Sequence, residues 1–209
     1  MNAATPAKAA LPLFPLQAVL FPGGLLRLKV FEARYLDLVS RCLREDLPFG
    51  VVCLRQGTEV LRRGSPRTPT RFETVGVLAR LREVDAEQSG ILQVNCLGGQ
   101  RVRLATVRQQ DDGLWLADAQ AVDDDDVRAP PDDLAPTVAA LSKAIDSLQA
   151  QGQHPFAQPY RLDDAAWVAN RWCEILPISL AAKQKLMELD EPVQRLRLVD
   201  EYLRGKGVV

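Results

Sequence analysis

Phe21, Phe31, Glu32, Arg34 and Tyr35 crowd into one short stretch near the amino end of this chain. Aromatic rings beside a strand edge supply apolar area, and an arginine or glutamate can hold a backbone group or a charge. That combination suits non-covalent capture of another chain. The competing reading makes Phe31 and Tyr35 core residues and lets Glu32 pair with an arginine to fix a helix. A second set, Arg62, Arg63, Arg67 and Arg71, lies in a stretch punctuated by Gly57, Gly64, Pro66 and Pro69. Four arginines in a loop suit an anion, a phosphorylated peptide or RNA. No aromatics are interleaved with them as base stacking requires, and a solvated loop is the plainer account. A third set is Trp167, Arg171 and Trp172. Five helical positions turn through about 500°, or 140° net, so the two tryptophans point different ways. Trp172 shares an apolar stripe, whereas Trp167 and Arg171 are candidates to line a cleft.

Covalent chemistry finds few footholds. The pairs Asp111-Asp112 and Asp163-Asp164 sit where a turn and a helix start need them. His154, the one histidine, has no acidic or cysteine neighbour in sequence, and general-base work requires a positioned partner. No G-x-x-x-x-G-K-[ST] loop and no G-x-S-x-G elbow occurs. Ser142 and Lys143 are helix neighbours whose side chains diverge. Cys42, Cys53, Cys96 and Cys173 stand far apart within apolar patterns, where free cysteine behaves as a small buried hydrophobe. Catalytic residues, metal ligands and cofactors are therefore not expected. Reduced thiols fit the cytoplasm, and no apolar run approaches the ~20 residues that span a bilayer. Lys+Arg at 26 against Asp+Glu at 27 argues against a partner held mainly by its phosphates, so nucleic acid is disfavoured.

The elements that would position these residues follow from periodicity. Leu11–Leu16 and Leu26–Val30 read as short strands, followed by a helix from about 32 to 45. In that helix Tyr35, Leu38, Val39 and Cys42 repeat at i, i+3, i+4 and i+7. Pro48 stops it, and Phe49 to Leu54 reads as a strand. After the loop at 56–71, alternating residues predict strands around Val75–Arg82, Leu92–Cys96 and Val102–Thr106, with a turn at Gly98-Gly99. Asp112-Gly113 forms a hairpin leading into Leu114–Val122. Successive short antiparallel strands remove their edges by closing, which favours a small barrel. Asp123 to Asp126 with Pro130-Pro131 reads as a solvated, proline-stiffened connector. Beyond it the period becomes 3.6, in four helices delimited by Gly152, the Asp163-Asp164 cap, Pro177 and Pro192. The expected division is a tail at 1–10, a β-rich domain at 11–123, a linker at 124–131 and a helical bundle at 132–205.

The succession Leu11-Pro-Leu-Phe-Pro-Leu16, Val19-Leu-Phe-Pro-Gly23 and Val30-Phe-Glu-Ala-Arg-Tyr35 resembles the start of the Lon (protease La) amino-terminal substrate-binding domain. Downstream, Trp167-Val-Ala-Asn-Arg-Trp-Cys-Glu-Ile-Leu-Pro-Ile-Ser179 and Lys183-Gln-Lys-Leu-Met-Glu-Leu-Asp190 match the same family. The resemblance covers about Leu11 to Leu203. It implies an α+β fold, a PUA-like closed or partly closed antiparallel β-barrel followed by a carboxy-terminal helical bundle. It also implies a stand-alone, non-catalytic domain that binds unfolded or client polypeptide and acts as an adaptor or regulator of a separate protease. The partner-binding residues would be Phe21, Phe31, Glu32, Arg34 and Tyr35, with Trp167 and Arg171 beside them. The alternative is a PUA-like RNA or small-ligand module using Arg62, Arg63, Arg67 and Arg71.

Overall fold

The computed structural model describes residues 10–58 and 69–209. The first strand, β1 (Leu11–Leu16), carries two prolines, and its pairing explains why they are tolerated. The strand β7 (Trp115–Ala121) pairs with Leu11 to Leu13, while β3 (Phe49–Gln56) pairs with Leu13 to Leu16. Pro12 and Pro15 therefore each lie where β1 has a single neighbour, so a missing N–H costs the ladder little. The β1–β3 pair is parallel. The chain can run that way because β2 (Leu25–Val30) and helix α1 (Ala33–Glu45) form a crossover between the two strands.

The longest strand is β6 (Ile91–Gln109), and it is the spine of the sheet. Its first half lies between β2 and β5 (Val75–Gln88), and its second half between β5 and β7. Gly98-Gly99, expected as a turn, lies instead inside this continuous strand. A side chain at Gly98 would place its Cβ 2.3 Å from the Phe21 carbonyl, so that glycine admits the opening loop against the sheet. Pairing runs from β1 through β7, β6, β5 and β3 and returns to β1, with β2 and the short β4 (Arg71–Phe72) attached outside that circuit. The outcome is a mostly antiparallel, partly closed ring and not a regular barrel.

After a 3-10 turn at Asp132–Leu134 come α2 (Ala135–Ala150), α3 (Ala165–Ile175), α4 (Leu180–Glu188) and α5 (Pro192–Gly205). Asp164 caps α3 by accepting from the Ala166 amide at 3.0 Å, and Ser179 caps α4 from Ala182 at 3.2 Å. Phe21, Phe49, Val77 and Cys96 from the sheet side share one core with Leu141, Val168, Trp172, Leu196 and Leu203 from the helices. A smaller cluster of Leu13, Val52, Val102, Leu104 and Ala117 is separate from it. All four cysteines are buried free thiols, and burial pushes Cys96 and Cys173 up to about 12. None of the helices among the described residues is long and apolar enough to cross a membrane.

The acidic segment departs from a purely solvated connector. Asp123, Asp124 and Asp126 are exposed, but the side chain of Asp125 is only 8% exposed. It meets Arg101 Nη2 at 2.9 Å and Arg195 Nη1 at 2.7 Å. Two cations arriving from β6 and α5 draw one of the four carboxylates inward. Nothing in a run of identical residues marks which one.

Candidate functional site

At the amino end of α1, Glu32 occupies the cap position, with its carbonyl accepting from the Tyr35 and Leu36 amides. Its carboxylate pairs with Arg34 Nη2 at 2.9 Å. Arg34 Nη1 donates to the Gly113 carbonyl at 2.8 Å, and the guanidinium lies 4.6 Å from the Tyr35 ring centroid. Tyr35 in turn stacks on Phe14 with centroids 3.9 Å apart. Gly113 has φ +88, and a Cβ there would sit 2.9 Å from Arg34 Nη1. This glycine supplies both the turn and the room for the guanidinium. Glu32, Arg34 and Tyr35 thus tie the helix to the β6–β7 turn. Phe21 is fully buried, whereas Phe31 is 48% exposed. The structure brings Glu32, Arg34 and Tyr35 together and leaves Phe31 at the surface.

Trp167 and Arg171 are both buried on α3. Trp167 packs edge-on to Phe156 and tilted to Tyr160. The Arg171 guanidinium lies 5.7 Å from the Trp167 ring and 5.8 Å from Phe156. Its Nη1 donates to the Gly23 carbonyl at 2.7 Å, and Nη2 donates to the Pro22 carbonyl at 2.9 Å and to Glu174 at 2.6 Å. The Pro22-Gly23 turn, with Gly23 at φ +73, aims two carbonyls at α3, and the arginine fork answers both. Arg171 therefore joins the opening loop to the helices. Of the arginine loop, Arg62, Arg63 and Arg67 lie outside the described residues, and Arg71 is exposed at the start of β4.

Beside the Arg171 tie runs a groove of about 440 Å³. One wall is the opening loop and the start of β2, with Val19, Leu20, Leu25 and Leu26. Facing them are Phe156, Ile175 and Leu180, the last 37% exposed. Glu174 and Lys183 add one charge of each sign to the lining. Lys183 Nζ donates to the Glu174 carbonyl at 2.8 Å. Burial raises the Glu174 carboxyl from its ordinary 4.5 to about 7, although Arg171 pulls the other way. Burial also lowers Lys183 and Arg171 below their usual values. A trough of half-buried aliphatics with a few polar groups can hold an apolar segment and orient it.

Sequence reasoning looked for a cleft at Trp167 and Arg171. The groove opens next to them, one helical turn on, and both of those side chains lie behind its wall. Val19, Leu26, Ile175, Leu180 and Lys183 escaped it. Val19 belongs to a loop, Leu26 to β2, and Ile175, Leu180 and Lys183 to α3 and α4, so only the packing of the opening loop against the helices brings them together. Leu180 was the most legible of them, a large aliphatic placed directly after the Pro177-to-Ser179 cap of α4.

A partly closed sheet is backed by helices, and an apolar trough opens at their seam. Residues 10–205 match the model of the ATP-dependent protease La (LON) substrate-binding domain, and the chain belongs to that family. It is similar to the crystal structure of a Lon N-terminal domain protein from Xanthomonas campestris, at 29% identity and a TM-score of 0.72, covering 93% of this chain and 99% of that one. It also shares its fold with the N-terminal domain of the Mycobacterium avium complex Lon protease, at 15% identity and a TM-score of 0.60, over 92% and 97% of the two chains. None of the curated proteins matches.

Proposed function

We propose that this protein binds segments of unfolded polypeptide non-covalently, and that it serves as an adaptor or regulator of protein turnover beside a separate protease. The observation that carries this reading is the groove. Its walls present Val19, Leu25, Leu26, Ile175 and Leu180 as partly exposed aliphatics gathered in one trough, and it is the gathering that marks a binding surface. An unfolded client offers the complement, apolar side chains on a chain with unsatisfied backbone groups. Burying two or three such side chains, at roughly 1.5–3 kcal/mol each before ordering costs, gives the weak and reversible capture that a delivery step needs. Family membership supports the same direction. The amino-terminal residues Phe21, Phe31, Glu32, Arg34 and Tyr35, with Trp167 and Arg171, contribute chiefly by holding the loop and helices that shape the trough. Phe31 is the exposed exception.

The test is retention of a fluorescently labelled, permanently unfolded model protein, measured by anisotropy. Leu180→Asp places a charge in the trough at a partly exposed position and is expected to weaken binding by about tenfold, with an unchanged unfolding midpoint. Equal binding by wild type and Leu180→Asp would remove the groove from the account.

A further inference from the structure

Strand β2 has one open edge. Among the described residues it pairs with β6 alone, apart from an isolated bridge between Gly24 and Phe156 at its very start. The phase of the ladder shows what that edge offers. The Gly98 amide donates to the Gly24 carbonyl at 2.8 Å, and the register then runs unbroken from Leu25 opposite Leu97 to Val30 opposite Leu92. In an antiparallel ladder, alternate residues turn their backbone groups toward the partner. Gly24, Leu26, Leu28 and Val30 therefore face β6, and Leu25, Arg27 and Lys29 aim theirs outward. Side chains alternate too. Leu26, Leu28 and Val30 lie toward the core, while Arg27 and Lys29 are exposed on the opposite face. Leu25 and Leu26 also line the groove, so the open edge begins beside the trough, just past the Gly24–Phe156 bridge and the Arg27 Nη2 donation to the His154 carbonyl at 3.5 Å.

We propose that the polypeptide is held by strand addition to β2, and that the preferred segment alternates apolar with acidic residues. This rests on the polypeptide-binding reading above and specifies its mode. A guest strand would place its apolar set beside Leu26 and Leu28. Its other set would stand beside Arg27 and Lys29, where acidic side chains are matched and basic ones repelled. The same face is polar across the sheet, where Asn95, opposite Arg27, donates to Glu83 at 2.9 Å. The same charges argue against a second copy of this chain as the occupant, since antiparallel β2 edges would bring Arg27 and Lys29 against each other. Main-chain bonds supply affinity and the alternating side chains supply selectivity.

The probe is a labelled peptide of alternating valine and glutamate, about eight residues long so that it spans β2. It is titrated against the whole protein beside the unfolded model protein. N-methylation of one alternate set of its amides is expected to weaken binding about tenfold, because that set alone bonds the edge, while methylating the other set has little effect. Arg27→Glu with Lys29→Glu should lose the glutamate peptide and gain its valine-lysine counterpart. An unchanged thermal unfolding midpoint confirms that the double variant is folded. If the model protein is retained while both methylated sets bind alike and the charge exchange does nothing, strand addition is wrong and groove binding stands. If neither the model protein nor any peptide is retained, both fall.

Discussion

Two buried arginine joints fasten the helices to the sheet side, and they differ in how completely each is satisfied. In the first, Arg101 on β6 and Arg195 on α5 converge on Asp125. The remaining donors reach the carboxylate of Asp190, the side-chain oxygen of Asn170 and the carbonyls of Asp123, Leu186, Met187 and Leu189. In the second, Arg171 answers two carbonyls and Glu174, but among the described residues its buried Nε meets no partner. The Glu174 carboxylate borders the groove at 18% exposure. The first joint surrounds its charges with acceptors and acts as a rigid clasp. The second leaves a carboxyl whose burial outweighs its ion pair, so a titratable group remains at the mouth of the trough.

The sharpest way to break this contrast is to remove the shared carboxylate. Asp125→Ala strands two buried cations and is expected to cost about 3–5 kcal/mol in urea unfolding. Asp124→Ala, one residue away and exposed, should change stability by no more than about 0.5 kcal/mol. Equal effects at the two positions would mean that Asp125 is no clasp.

Removing the second arginine should do less. Arg171→Met keeps bulk on α3 but leaves the Pro22 and Gly23 carbonyls without their donor, for about 2–3 kcal/mol. The same variant should raise the Glu174 carboxyl further, because burial is then opposed by Lys183 alone.

A further effect expected is the pH dependence of Glu174 itself. Its folded pKa, about 7, lies above its ordinary 4.5, so the folded state holds the proton more tightly than the unfolded one. Stability from this group is fully present below about 4.5 and is lost as pH rises to about 7. Thermal midpoints of wild type and Glu174→Gln should therefore follow different slopes across that window. Parallel profiles would show that the carboxyl is ordinary.

Much of the fold could be read from local pattern. The start of α1, the Asp112-Gly113 hairpin, the Asp164 cap and the Pro192 start of α5 each depend on residues within a few positions, whose backbone preferences act locally. The Gly98-Gly99 turn misled because the same glycine signal serves two ends. A local reading takes it as a bend, whereas here it clears space for Phe21. The pair that closes the circuit was harder still, since the parallel β1–β3 pair joins strands separated by a whole crossover.

The site was less legible for a related reason. Arg171 and the Gly23 carbonyl it holds are 148 positions apart, and Arg195 and Asp125 are 70 apart. Periodicity and punctuation in the chain were enough to place most strands and helices in order, and the opening and downstream motifs pointed to the family. Which aspartate turns inward, which arginine becomes a tie, and where the trough opens depended on packing between distant segments. Burial there sets the cost of each charge, and no local pattern of residues encodes that cost.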